Sequence, residues 1–389
     1  MPVKRHSVAR TLGIALFAIL LTYTGMVRSI PSSITIFQGE NADSQLKKLP
    51  GIELENDQEG MSVKWLGLFR LKKVNVSVVP DQYLMACGNV AGVKMEIDGL
   101  LVISLSDVEI QGGASVNPAK DAGIRTGDRI TGAQGQELHN AQDLLGLVKG
   151  SNGTTLSLDV MRLGTKLTLE VKPERAAGDG QYHIGVWIRD SAAGIGTITY
   201  YDPETLDFGA LGHGISDIDT KELVPLKRGK IFEAAIISIK KGMPGSPGEL
   251  SGVFMEDWGP VGTVEENMEC GIYGSLEPAK RGSLEGRPCP LGSPGAVREG
   301  NAVILSDIAG AGVTSYDVQI LKIIRDPVSG KKSISLQVSD EDLLAVTGGI
   351  IQGMSGSPII QDGRLVGAVT HVFVNDPQRG YGILIERMQ

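Results

Sequence analysis

The amino-acid sequence predicts a mainly β protein with more than one domain. Its 389 residues are more than one small domain requires. Glycine is abundant, at 52 residues, whereas aromatic residues make up only 5% of the chain, which favours turn-rich β structure over helical bundles. In the C-terminal half, short apolar and β-branched runs alternate with Gly and Pro, as at 231–239, 302–306, 319–324 and 365–374. This alternation predicts a pair of β-barrels.

The N-terminus has the pattern of an export signal. The basic residues Lys4, Arg5 and Arg10 precede an apolar run over residues 11–27. Such a run is at the short end of what spans a bilayer, and the basic flank stays in the cytoplasm. No small-x-small cleavage site follows, which favours an uncleaved signal anchor over a removed signal peptide. Residues 1–29 are therefore predicted as a cytoplasmic tip and anchor, and the rest of the chain as extracytoplasmic.

Two further units are predicted before the C-terminal half. Residues 30–87 are rich in polar residues and Pro, and predict a stalk with some strands. Residues 88–175 alternate strand, turn and helix signals, with Asn140 as the N-cap of a helix. Within this second unit, the run PAKDAGIRTGDRI at 118–130 resembles the PDZ domains of exported bacterial proteases.

A PDZ domain binds an extended peptide as an added strand at a sheet edge. By this resemblance, the loop that holds a terminal carboxylate is expected at Val90, Ala91, Gly92 and Val93. A spacer domain without a ligand is the alternative.

The strongest chemical signal is the hexapeptide GMSGSP at residues 353–358. A serine hydroxyl becomes an effective nucleophile when a base takes its proton and donors stabilise the oxyanion. Glycines permit a tight turn in which the N–H groups of Gly353 and Ser355 point at one spot, so both are predicted as oxyanion donors. Apolar strands flank the turn, as in the nucleophile loop of trypsin-like peptidases. Ser355 is the predicted nucleophile, Ser357 is its rival, and a glycine turn without function is the alternative.

The candidate bases are the five histidines, His6, His139, His183, His213 and His371. His213 lies between two glycines, which leave its ring accessible, and it precedes the serine as in trypsin-like chains. His371 follows the nucleophile loop and is the second candidate, whereas His183 lies in an apolar run and is predicted to be structural. Spacing does not select the acid of a triad among the candidates Asp217, Asp219, Asp307 and Asp340.

Charge and cysteine content exclude other classes of function. The net charge of −8 disfavours a nucleic-acid partner, which requires a basic face. The three cysteines, Cys87, Cys270 and Cys289, have no zinc-site spacing. They are predicted as free thiols, with a Cys270–Cys289 disulfide as the alternative. No metal or cofactor site is predicted.

Five stretches together resemble the stage IV sporulation protein B family, the S55 family of signalling serine peptidases from endospore-forming bacteria. They are GHGISD at 212–217, KGMPGSPGEL at 241–250, CGIYG at 270–274, GGIIQGMSGSPIIQDG at 348–363 and GAVTHVFVNDPQRGYGI at 367–383. The resemblance implies a trypsin-like peptidase domain over residues 178–389. It implies Ser355 as nucleophile, His213 as base and Asp340 as acid, with the neighbouring Asp342 as an alternative acid.

The resemblance also implies a biological role. Members of the family act in the space between the two membranes around the developing spore. They cleave themselves and a regulator that holds an intramembrane metalloprotease inactive, which releases a late sigma factor from its pro-form. No cofactor is implied. Two other functions remain: an exported PDZ adaptor with an inactive peptidase half, and a periplasmic quality-control protease, which the order of PDZ before peptidase disfavours.

Overall fold

A computed structural model describes residues 14, 17–18, 20–28, 30, 32–38, 51–57, 60–293, 295, 297–324 and 333–389. The predicted anchor lies only partly within these residues, of which 20–28 are helical. Among the described residues, no helix has the length and hydropathy that a membrane span requires.

The segment that was expected to form a stalk contains a small sheet. Its strands are β1 (Ser33–Phe37), β2 (Ile52–Asp57), β3 (Gly60–Trp65) and β4 (Phe69–Val79). They lie in the order β1-β4-β3-β2, with β1 parallel to β4. Val63 and Val74 are fully buried between them. The strands were predicted, but their shared core makes this part of the chain a folded unit rather than a stalk.

The chain then enters the central part of the molecule. Its elements are β5 (Tyr83–Ala86), β6 (Val90–Leu105), β7 (Val108–Glu109), β8 (Ser115–Val116), α1 (Pro118–Asp121), β9 (Arg129–Ala133), β10 (Gln136–Glu137), α2 (Ala141–Gly150), β11 (Leu156–Arg162), β12 (Thr165–Val171), β13 (Glu174–Arg175) and β14 (Tyr182–His183). As expected, Asn140 caps α2, because its side chain accepts a hydrogen bond from the N–H of Asp143.

The C-terminal half consists mainly of strands. They are β15 (Val186–Tyr201), β16 (Asp207–Ala210), β17 (Leu226–Lys240), β18 (Glu249–Phe254), β19 (Gly262–Met268), β20 (Gly271–Leu276), β21 (Arg287–Pro290), β22 (Gly300–Ser306), β23 (Thr314–Ile323), β24 (Ile334–Val338), β25 (Pro358–Gln361), β26 (Arg364–Phe373) and β27 (Asp376–Leu384). Helix α3 (Glu341–Thr347) precedes the predicted nucleophile loop, and 3-10 turns occupy Glu256–Trp258, Pro278–Ser283 and Ile385–Arg387.

Two closed barrels form from these strands. In the first, β6 pairs with β17, and the ring continues through β19, β20, β16 and β15 back to β6. In the second, the ring runs β22-β23-β24-β27-β26-β25 and closes between β25 and β22. Each barrel is filled by its own apolar cluster, with Ile231 and Ile272 buried in the first and Ile304 and Leu336 in the second. The predicted mainly β fold with two barrels is confirmed.

The PDZ-like unit is inserted into the first barrel. Strand β6 pairs with barrel strands over residues 90–97 and with β9 at Leu100 and Leu101. Strand β15 returns the chain, pairing with β6 over residues 186–189 and again over residues 191–197. Strand β6, which lies in the predicted PDZ unit of 88–175, therefore also belongs to the first barrel.

This topology corrects the predicted carboxylate loop. Residues Val90, Ala91, Gly92 and Val93 are not a loop but the first residues of β6, paired with β15 on one edge. Three of them, from Ala91 to Val93, pair with β17 on the other edge. Backbone groups that pair on both edges of a strand are not available to a peptide carboxylate. The sequence did not reveal this pairing, because the partners on β15 and β17 lie about 100 and about 140 residues further along the chain.

Candidate active site

Ser355 lies on the turn between α3 and β25, at the end of the second barrel that faces the first. The side chain is half-buried, and its Oγ donates a hydrogen bond to the carbonyl oxygen of Thr370 on β26 at 2.6 Å. The rival Ser357 is 0% exposed, and its Oγ has no hydrogen-bond partner among the described residues. A substrate cannot reach a fully buried hydroxyl, so Ser355 is the accessible serine of the motif.

The peptide groups of the turn are anchored so that two N–H groups remain available. The carbonyl of Gln352 accepts from Leu250 N–H at 2.9 Å, and the carbonyl of Met354 accepts from Ser357 N–H at 3.0 Å. In a trans peptide the N–H points opposite to the C=O, so the N–H groups of Gly353 and Ser355 point away from these partners. Neither N–H donates to any group in the described chain. This is the arrangement that an oxyanion hole requires.

A segment of the first barrel hydrogen-bonds to the turn that contains Gly353. Residues 241–248 link β17 to β18, and this link and the start of β18 contact the second barrel. Besides the bond from Leu250, Gln352 N–H donates to Gly248 O at 2.9 Å. Gly353 has a φ of +98°, and a Cβ there would lie 2.9 Å from Leu250 Cβ, so the turn requires glycine. The family-like stretch KGMPGSPGEL thus has a structural role beside the nucleophile.

His213 reaches the same cleft from the first barrel. It follows β16, and its ring centroid lies 5.0 Å from that of His371 on β26. The preceding Gly212 is tightly packed, since a Cβ there would lie 2.9 Å from Thr370 Cγ2. Thr370 also binds the hydroxyl of Ser355. The structure therefore brings Ser355, His213 and His371 together around one strand.

The histidine ring has a defined orientation. His213 Nδ1 lies 2.9 Å from the carbonyl oxygen of Gly214. A carbonyl only accepts, so Nδ1 carries the proton and Nε2 carries the lone pair of a base. Burial lowers the pKa of His213, since a desolvated ring disfavours the charged form. In this arrangement the hydroxyl of Ser355 points at Thr370 O rather than at His213.

Asp340, the acid that the resemblance implies, makes no hydrogen bond to His213 within the described residues. Its Oδ1 accepts from Leu343 N–H at 2.9 Å and its Oδ2 accepts from Asp317 N–H at 3.2 Å. It is the N-cap of α3, a position at which Asp is strongly preferred. The neighbouring Asp342 is exposed on the first turn of the same helix.

The other candidate acids are likewise committed to turns. Asp217 is buried, pairs with Arg189, and accepts from Asp219 N–H at 3.0 Å and Thr220 N–H at 2.9 Å. Asp219 pairs with Arg189 at 3.0 Å. Asp307 accepts from Gly310 N–H at 2.8 Å. Within the described residues, none of these carboxylates hydrogen-bonds His213.

A groove of about 600 Å³ in the PDZ part was missed by sequence reasoning. It lies between α2, with Leu144, Leu145 and Val148, and the segment 182–188. The N–H groups of Ile184 and Gly185 bond to no group in the described chain. They are therefore suited to a peptide carboxylate. The apolar-Gly-apolar pattern of residues 184–186 was the available signal, but it was interpreted as an ordinary strand.

The cysteines and His183 make contacts of their own. All three cysteines are free, and Cys270 Sγ lies 3.2 Å from Tyr273 Oη, so the alternative of a Cys270–Cys289 disulfide is not formed. His183, at the groove, bonds Asp179 at 2.9 Å. In the part of the chain that the structure describes, no group of three or more His, Cys, Asp or Glu could hold a metal ion.

Known proteins resemble separate parts of the chain. Over 69 residues it is 35% identical to "Putative zinc metalloprotease LL2128" of Lactococcus lactis, a match that spans 18% of this chain and 16% of that protein. The PDZ domain of the SdrC-like protein of Listeria monocytogenes matches 23% of this chain and 87% of its own, at 21% identity and a TM-score of 0.20. The active form of the Rv3671c protease of M. tuberculosis matches 50% of this chain and 71% of its own, at 13% identity and a TM-score of 0.28.

Two protein families match longer parts of the chain. Residues 91–172 match the PDZ domain family, which confirms the PDZ domain that the sequence predicted. Residues 180–389, more than half of the chain, match the family described as SpoIVB peptidase S55. With the nucleophile loop and the histidine in one cleft between two barrels, the chain belongs to the SpoIVB peptidase S55 family of serine endopeptidases.

Proposed function

We propose that this serine endopeptidase is an intercompartment signalling protease of endospore formation. It cleaves itself and a membrane regulator, so that an intramembrane metalloprotease releases a late sigma factor. The observation that carries the catalytic part is the anchored turn, in which the free N–H groups of Gly353 and Ser355 lie beside the Ser355 hydroxyl. Family membership supports the signalling part. The basic residues and apolar run before residue 28 support an extracytoplasmic, membrane-anchored location.

The proposed mechanism assigns one role to each group of the cleft. The Ser355 hydroxyl rotates from Thr370 O toward His213 Nε2, which takes its proton as Oγ attacks the scissile carbonyl. The resulting oxyanion accepts hydrogen bonds from the N–H groups of Gly353 and Ser355. The His213 imidazolium then protonates the leaving amine, and water hydrolyses the acyl-enzyme by the reverse transfers.

The PDZ groove is proposed to select protein substrates. Apolar side chains of α2 line one side, and strand β15 lines the other over residues 186–188. An extended peptide that adds to this edge gains backbone hydrogen bonds, and its apolar side chains enter the groove. No acid or base for the cleavage itself is required there, because Ser355 and His213 lie between the barrels.

The first prediction tests the function as a whole. In an endospore-forming host that lacks its own member of this family, the full chain should restore processing of the late pro-sigma factor. Ser355→Ala should abolish it, because loss of a triad nucleophile lowers the rate by about a million-fold. Ser357→Ala is the matched control, since it removes a buried hydroxyl that has no partner among the described residues, and it should retain processing. Both variants are measured by immunoblot at equal protein level.

Two results would contradict this proposal. Processing by Ser355→Ala would remove the catalytic assignment. A wild-type chain that cleaves itself but leaves the pro-sigma factor unprocessed would be an active peptidase without the proposed signalling role.

The second prediction concerns pH. His213 acts in its neutral form, and burial lowers the pKa of that ring below the ordinary value of about 6.5. As pH falls, kcat/KM should therefore decline with a midpoint below about 6.5. The same midpoint should remain in His371→Gln, whereas His213→Gln should be inactive at every pH. A midpoint above the ordinary value would contradict a buried base. Disappearance of the midpoint in His371→Gln would assign the base to His371.

The third prediction separates capping from catalysis at Asp340. Asp340→Asn keeps an oxygen that accepts from Leu343 N–H, so its kcat should stay close to that of the wild type. Asp340→Ala loses the cap and should lower the free energy of unfolding by about 1 kcal/mol. Denaturant unfolding and steady-state kinetics measure the two effects. A fall in kcat of about 10⁴-fold in Asp340→Asn would instead restore this residue to a triad.

The fourth prediction tests the groove. Leu145 is 37% exposed and lines it, so Leu145→Glu should raise KM for a protein substrate. The expected rise is about tenfold, which corresponds to about 1.4 kcal/mol of lost binding. Labelling of Ser355 by a small fluorophosphonate should be unchanged. Leu163→Glu, at a turn of the same domain and 92% exposed, is the matched control. Equal KM values in both variants would assign substrate selection elsewhere.

A further inference from the structure

The segment that carries His213 is held by one side chain of the neighbouring strand. Asn267 lies on β19 of the first barrel. Its Oδ1 accepts from Ile215 N–H at 2.8 Å, and its Nδ2 donates to Ile215 O at 2.9 Å and to Val224 O at 2.8 Å. One carboxamide thus fixes both backbone groups of the residue that lies two positions after His213.

The same contact fixes the direction of the Gly214 carbonyl. Gly214 C=O and Ile215 N–H belong to one trans peptide and point in opposite directions. Since the N–H points at Asn267, the carbonyl points away from it, and there it meets His213 Nδ1 at 2.9 Å. Only glycine fits at position 214, because a Cβ there would lie 2.3 Å from both Leu223 Cδ2 and Met268 O.

We propose that Asn267 is a positioning residue for catalysis, because it fixes the Gly214 carbonyl that orients the ring of His213. The carbonyl holds the proton on Nδ1 and aims Nε2 into the cleft. When the ring takes the proton of Ser355, the carbonyl dipole stabilises the imidazolium. This inference rests on the proposed role of His213 as the base.

The alternative orienting groups are occupied. Asp217 and Asp219 are paired with Arg189, and Asp340 caps α3. A carboxylate would stabilise an imidazolium more strongly than a neutral carbonyl does. Catalysis by His213 therefore depends on the orientation of its ring, and that orientation depends on the three hydrogen bonds of Asn267.

Asn267→Asp is the most informative substitution, because it preserves shape but replaces the amide donors with a charged carboxylate. A carboxylate can still accept from Ile215 N–H, but it cannot donate to the carbonyls of Ile215 and Val224 and would repel them. The 214–215 peptide should then rotate, and the imidazole should lose its fixed orientation. We expect kcat to fall about 100-fold, the cost of misplacing a catalytic group by about 1 Å, with KM unchanged.

The direct test is the tautomer of His213 in the full-length chain. Ser355→Ala protein with ¹⁵N-labelled histidine gives ring-nitrogen signals in long-range ¹H–¹⁵N spectra, and His213→Gln assigns the signal in question. At a pH where the ring is neutral, we expect the proton on Nδ1. In Asn267→Asp we expect a mixture of the two tautomers.

Controls and contrary outcomes are distinct. Glu265→Gln, on the same strand with its side chain bonded to Ser275 Oγ in solvent, should change neither kcat nor the tautomer. If the chain with Asn267 intact carries the proton on Nε2 of His213, the proposal is overturned. This result does not depend on whether Asn267→Asp folds. An Asn267→Asp enzyme with wild-type kcat overturns it as well. Full activity in His213→Gln would instead end the proposed function, while the tautomer result would stand.

Discussion

Thr197 joins the two halves of the active site through three hydrogen bonds, and the geometry of the cleft depends on them. From β15 of the first barrel, its N–H donates to Ser355 O at 2.9 Å and its Oγ1 donates to Gly353 O at 2.8 Å. Its carbonyl accepts from Leu211 N–H at 3.1 Å, just before the histidine segment. The residue is fully buried, so water does not compete for these bonds. The turn that carries Ser355 and the segment that leads to His213 are thereby bonded to one residue of one strand.

The same strand carries the peptide-binding groove. Residues 186–188 of β15 line the groove of the PDZ domain, and Thr197 lies about 30 Å further along the strand. Since β6 accompanies β15 over most of this length, the PDZ domain is continuous with the first barrel rather than tethered to it by a linker. Deleting the PDZ domain as residues 88–174 would remove a barrel strand. Point substitutions in the groove are therefore the appropriate way to separate substrate selection from chemistry.

The sequence predicted best those features that depend on a short stretch of residues. The fold class and the glycine-flanked Ser355 and His213 depend on short patterns, and the structure brings these two residues into one cleft. Asp340 was carried over from a family resemblance, and its local pattern, an Asp before a short helix, equally fits the cap that the structure contains. The misplaced loop at Val90–Val93 and the missed role of Asn267 share a cause. Both depend on strand pairings between distant parts of the chain, which no window of the sequence contains.

The central claim is that Ser355 is activated in a turn that Thr197 holds against the first barrel. Mapping a fluorophosphonate adduct on the full-length chain by peptide mass spectrometry, with the labelling rate of Thr197→Val alongside, tests it most directly. Valine has the shape of threonine but cannot donate to Gly353 O, which removes one of the three bonds. The account predicts an adduct on Ser355 alone, formed more slowly in Thr197→Val. An adduct on another residue, or an equal rate in Thr197→Val, would contradict it.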